Sequence, residues 1–128
     1  MGLFDKILGG GSSAGSDKIE WVPLTDVQQL NSLIEESKTQ TVAIFKHSTR
    51  CGISRMVLRG FESDYELDLD QVKLYFLDLL NYRNISEEIA SRFGVWHESP
   101  QLLVIKGGDV VYHTSHGSIQ ANKLSEFI

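Results

Sequence analysis

Cysteine and proline are scarce in this sequence. One cysteine, Cys51, and two prolines, Pro23 and Pro100, stand among 128 residues. A single thiol excludes an internal disulfide framework, and with it any zinc or iron–sulfur site built from several cysteines of one chain. Positive charge is also short: 12 Lys and Arg stand against 17 Asp and Glu, a net charge of −5. No basic run and no basic stripe with interleaved aromatics occurs, which argues against nucleic acid and anionic membrane surfaces as partners. No apolar run approaches the roughly 20 residues that span a bilayer. The opening MGLFDKILGG is too short and wrongly flanked for a secretory signal, and Lys6 breaks the myristoylation pattern. The expected location is the cytoplasm, where a thiol stays reduced. What is present is 41% hydrophobic residues, enough for the core of one domain.

Residues 9–17, GGGSSAGSD, read as a flexible linker. Residues 1–17 are expected to form a flexible tail, in which Leu3, Phe4, Ile7 and Leu8 share one face of a short helix. Residues 18–128 form the domain. Within it, IEWVPL (19–24) reads as a short strand that Pro23 confines to an edge or an end. Thr25 with Gln28 forms a capping-box pattern ahead of the helical apolar face Val27, Leu30, Leu33 and Ile34. TVAIFK (41–46) has the composition of a buried strand. The helix after Cys51 carries Ile53, Met56, Val57, Phe61 and Tyr65 at three- and four-residue spacing. VKLYFLD (72–78) is the next strand. Asn84 with Glu87 suggests a cap for a helix carrying Ile85, Ile89 and Phe93, which Gly94 ends. QLLVIK (101–106) and DVVYHT (109–114) flank Gly107-Gly108 and form a hairpin. A last helix is expected from Ser118, with Ile119, Leu124 and Phe127 turned inward. Helix crossovers favour parallel pairing of the early strands, and the hairpin is antiparallel. The expected fold class is α/β: a mixed central sheet with helices on both faces, in three layers, in the element order of thioredoxin.

The stretch HSTRCGIS (47–54) holds the thiol between a buried strand and a helix start. Free amides at a helix start carry partial positive charge and favour a thiolate. Arg50 adds to this, as does Arg55, and His47 would if protonated. A polar loop leading into a helix is a poor seat for an inert buried cysteine, so Cys51 is the candidate nucleophile. Ser54 occupies the place of the second thiol of a Cys-x-x-Cys site. A hydroxyl forms no disulfide, so Ser54 offers at most a hydrogen bond to the Cys51 thiolate. A lone thiol takes up a sulfur partner and needs an outside thiol for its release.

Three segments, FKHSTRCGIS (45–54), HESPQLLVIK (97–106) and YHTSHGSI (112–119), resemble the YtxJ-like monothiol bacilliredoxins, of thioredoxin fold. That resemblance implies removal of bacillithiol, a cysteine–glucosamine–malate thiol, from client proteins that carry it as a mixed disulfide. Cys51 would be the nucleophile, Ser54 its neighbour in the catalytic site, and bacillithiol a cosubstrate with no bound cofactor. The partners would be bacillithiolated client proteins and a low-molecular-weight thiol. It also implies a cis peptide at Ser99-Pro100 beside the thiol, with the backbone at Ser99 pairing with substrate. Arg50, Gly52, Ser99, Pro100 and His116 are the candidate substrate-binding residues. The family motif usually has proline after the cysteine; here Gly52 supplies a backbone amide instead.

Cys-Gly-Ile-Ser also differs by one residue from the Cys-Gly-Phe-Ser motif of monothiol glutaredoxins, which share an iron–sulfur cluster between two chains. Their glycine-rich stretch late in the chain is replaced here by SHGSI. A third reading is a noncatalytic thioredoxin-like binding module. His113 and His116 suggest hydrogen bonding more than metal ligation, and no metal is expected. Trp96 and His97 either line the thiol groove or anchor the loop. Trp21 reads as structural.

Overall fold

The computed structural model describes residues 19–68 and 70–128. The tail and linker expected at 1–17 lie outside them.

β2 (Thr41–His47) is buried along its whole length, as its β-branched and aromatic run dictates. It pairs in parallel with β3 (Val72–Asp78) and antiparallel with β4 (Gln101–Lys106). β1 (Val22–Pro23) runs parallel to β3 on one edge, and β5 (Asp109–Ser115) runs antiparallel to β4 on the other. The sheet order is therefore β1-β3-β2-β4-β5. β1 is shorter than the strand expected at 19–24. Pro23 has no N–H to extend a ladder, and one further bond, from Leu24 N–H to Phe76 C=O at 2.8 Å, ends the pairing.

Alternation along β2 sends Val42 and Ile44 to one face, Ala43 and Phe45 to the other. The first face is covered by α1 (Gln28–Glu36), through Leu30 and Leu33, and by α3 (Arg83–Phe93), through Ile85 and Ile89. The second is covered by α2 (Gly52–Asp64), through Phe61, and by the C-terminal segment, through Ile119, Ala121 and Leu124. Trp21 joins this second core at Phe45, Phe61 and Phe76, and its indole N–H donates to Glu62. Two helical layers on a mixed sheet give the three-layer arrangement expected.

Local details depart from the expectations. The cap before α1 is built one residue later: Asp26 Oδ1 accepts from Gln28 N–H, and Gln29 Oε1 accepts from the N–H of both Thr25 and Asp26. α3 begins at Arg83, so Asn84 lies inside it; Asp78 organises the turn ahead, accepting from Leu80 N–H and Asn81 Nδ2. The expected last helix is two 3₁₀ segments, His116–Ser118 and Ala121–Phe127. Ile119 and Leu124 still turn inward, and Phe127 stacks on Tyr112. Gly94 and the Gly107-Gly108 turn take positive φ, as their roles require.

Candidate active site

Three loops meet at one end of the sheet. β2 ends there at His47 and runs through Ser48–Arg50 into Cys51. β4 begins there at Gln101, the register partner of Lys46, with Ser99-Pro100 just ahead. β5 ends there at Ser115, the register partner of Gln101, and His116 follows.

Cys51 is the N-cap residue of α2, with extended backbone (φ −99°, ψ 119°), and is half-buried. Its N–H donates to Ser48 C=O at 3.1 Å, closing a tight turn, and its C=O accepts from Arg55 N–H at 3.1 Å. No side chain caps this helix start. The first-turn amides, which have no intrahelical acceptor, therefore leave partial positive charge beside the sulfur. Arg55 Nη1 donates to Thr49 C=O at 2.9 Å and folds the side chain back over the loop. Arg50 is exposed. Gly52 is exposed too, and a Cβ built there would meet only Arg55 Nη2, at 3.9 Å.

Ser54 is fully buried. Its Oγ accepts from Ser48 N–H at 3.1 Å and lies 2.8 Å from His47 Nδ1. These are the hydroxyl's partners, in place of the expected bond to Cys51. Ser54 thus ties the loop before the thiol to the helix after it. His47 is buried between the Phe45 and Phe76 rings. Desolvation pushes its pKa below the ordinary histidine value, and Arg55 adds to this; Asp78 and Glu62 pull the other way. The net direction keeps the ring neutral at neutral pH, so His47 acts as a hydrogen-bond partner and not as the source of charge.

The Ser99-Pro100 bond is cis. Pro100 C=O accepts from His116 N–H at 2.9 Å, and Ser115 Oγ donates to Glu98. His116 is exposed at φ 55°, and its turn packs against α2. His97 anchors the same loop, with Nδ1 2.7 Å from Ser86 Oγ on α3. Trp96 next to it is 89% exposed and belongs to no core. Of the apolar face expected for α2, Phe61 and Tyr65 are buried and Val57 packs against the same core, whereas Ile53 and Met56 are 57% and 67% exposed; Ser54 takes the buried position in the first turn. His113 is exposed on β5, and among the described residues no cluster of three His, Cys, Asp or Glu is placed to hold a metal.

The patterns missed two things. His47 partners Ser54, and Lys46 is fully buried in β2. For Lys46 the signal was present, as a lysine in an otherwise apolar strand whose alternation points it to the α1/α3 face.

A family model described as monothiol bacilliredoxin BrxC matches residues 22–124. Among solved structures, a candidate oxidoreductase with a thioredoxin fold is 27% identical, with a TM-score of 0.72, and the match covers 90% of this chain and 97% of that one. Fasciola hepatica thioredoxin is 24% identical at a TM-score of 0.59, covering 83% and 94%. Malassezia sympodialis thioredoxin is 20% identical at 0.62, covering 82% and 84%. These likenesses establish the thioredoxin fold.

Proposed function

Because the chain belongs to the monothiol bacilliredoxin family, we propose that it is a thiol–disulfide oxidoreductase that removes bacillithiol from protein mixed disulfides through Cys51. The observation that carries this is a half-buried thiol at an uncapped helix start, followed by a serine whose hydroxyl is held by His47 and Ser48. The Cys51 thiolate attacks the bacillithiol sulfur. The disulfide to the client breaks, the client thiolate leaves and takes up a proton, and bacillithiol stays on Cys51 as a new disulfide. With no second thiol in the chain, a second bacillithiol attacks the bound one. It frees Cys51 and departs as bacillithiol disulfide, having supplied the two electrons.

The remaining residues have supporting roles. Ser99 ahead of cis-Pro100 offers its backbone to the client chain, and the His116 turn buttresses that loop through Pro100 C=O. Arg50 and Gly52, both exposed, flank Cys51 in the chain and meet the small thiol and the client there. The reaction needs no resident cofactor, and we place it in the cytoplasm. No helix among the described residues is long and apolar enough to cross a membrane.

The test mixes the reduced protein with a bacillithiol-capped client and follows both by intact mass. The expected result is uncapped client with one bacillithiol on the wild-type protein and none on Cys51→Ala. An unchanged client, or equal release by Cys51→Ala, would overturn the reading.

A further inference from the structure

Among the described residues four buried side-chain polar atoms lack a hydrogen-bond partner, and three belong to the reactive end of the sheet: Lys46 Nζ, Ser99 Oγ and Gln101 Oε1. Lys46 and Gln101 are register partners on β2 and β4, so their side chains leave the same face. Ser99 lies two residues ahead of Gln101, across the cis bond. Burial lowers the pKa of His97 and the nearby Lys46 charge adds to it, so Lys46 is within electrostatic reach of the loop that carries His97. Burial pushes Lys46 down to about 8, so it is still mostly a cation at neutral pH. Its partner on β3 is Leu77, which offers no side-chain acceptor. A fully buried, unpaired ammonium is costly. On the loop ahead of β4, His97 and Ser99 are half-buried.

We propose that Lys46 and the Ser99 hydroxyl form an anion subsite beneath the Ser99-Pro100 loop, which takes a carboxylate of the small-thiol cap while the cap's sulfur is at Cys51. The ammonium supplies the charge and the Ser99 O–H a second donor. Gln101 Nε2 is already committed to Trp96 C=O at 2.9 Å and offers the anion no further donor. A carboxylate here relieves the unpaired charge, so a carboxylated cap gains over a neutral one, and the preference resides in Lys46. The inference rests on the proposed reaction for the sulfur chemistry but not for carboxylate recognition.

Two measurements separate them. In the first, one reporter peptide is capped either with bacillithiol or with mercaptoethanol, and kcat/KM is measured for each cap. Wild type prefers the bacillithiol cap, and Lys46→Met lowers that preference by about tenfold, the scale of one charge-assisted contact, mainly through KM. Ser99→Ala lowers it less. An equal loss for both caps, or an unmoved ratio, would overturn the subsite while leaving the oxidoreductase standing. In the second, malate alone is titrated and followed by backbone amide NMR. Ser99 and Gln101 shift in wild type and not in Lys46→Met. If no cap is removed from either reporter yet these shifts appear, the redox reading fails and the subsite survives. If the shifts are absent or the same in Lys46→Met, the subsite is refuted.

Discussion

Ser54 Oγ lies 2.8 Å from His47 Nδ1 and accepts from Ser48 N–H at 3.1 Å. One buried hydroxyl therefore links the end of β2, the loop before the thiol and the first turn of α2. Losing it strands the buried His47 ring nitrogen and the half-buried Ser48 N–H, and a buried polar group left unsatisfied costs about 1–3 kcal/mol. Ser54→Ala is expected to lower stability by about 2 kcal/mol in urea unfolding and to slow alkylation of Cys51 by iodoacetamide, because the loop is no longer held to the helix. Unchanged stability and alkylation would show that the hydroxyl holds nothing.

His47 and His97 carry the same sign of pH dependence. Burial is the largest cause of the lowered pKa at both. Each is neutral in the folded protein over a range where the unfolded chain, titrating near 6.5, already binds a proton. The unfolded state thus binds more protons, and stability falls as pH drops from the ordinary histidine range to the folded values. Urea midpoints measured between pH 7 and 5 are expected to decrease steadily. His47→Asn keeps an acceptor at the δ position without a titrating ring and is expected to flatten part of the slope. An unaltered slope in that variant would assign the effect elsewhere.

The order of elements was legible in the sequence because each has a strong local cause. The apolar run 41–46, the helical spacing of Leu30 and Leu33, Gly94 as a left-handed C-cap and the Gly107-Gly108 turn are all local facts. Cys51 at a helix start was legible for the same reason. Along α2 the spacing placed Val57, Phe61 and Tyr65 correctly but not Ile53 and Met56: Ser54, a polar residue, takes the buried position in the first turn, and its bonds to His47 and Ser48 explain that. The C-terminal segment kept its inward residues Ile119 and Leu124 and lost its α-helical form. The Lys46–Gln101 register depends on β4 folding back antiparallel to β2, which no local pattern of either strand announces.

Lys46 makes a prediction on the alkaline side. Its folded value is lowered from 10.5 to about 8. Between these values the unfolded chain holds a proton that the folded protein has released, so stability rises as pH increases from 8 towards 10.5. A depression of that size means that the buried ammonium costs about 3 kcal/mol at pH 7. Lys46→Met removes that cost while keeping the packed stem. It is expected to be more stable than wild type at pH 7 by about 2 kcal/mol, with the gap closing by pH 10. A variant less stable at pH 7 would mean that the ammonium has a partner.

Gly52 offers the last test, because fold and chemistry respond to it in opposite directions. It is the first residue of α2, where proline is favoured: the N–H lost there has no intrahelical acceptor and the fixed φ suits a helix. Cys51 ahead of it already has the extended backbone that a following proline demands (φ −99°, ψ 119°). Space is open as well, with Arg55 Nη2 at 3.9 Å as the only neighbour of an added Cβ. Gly52→Pro is therefore expected to stabilise the protein by about 0.4–1 kcal/mol through the unfolded chain. The same change deletes one amide donor beside the sulfur, and alkylation of Cys51 is expected to slow. Urea unfolding and iodoacetamide kinetics on the one variant read both effects. A destabilised protein would mean that the first turn is not helical at Gly52. A faster thiol would mean that the Gly52 amide does not act on the sulfur.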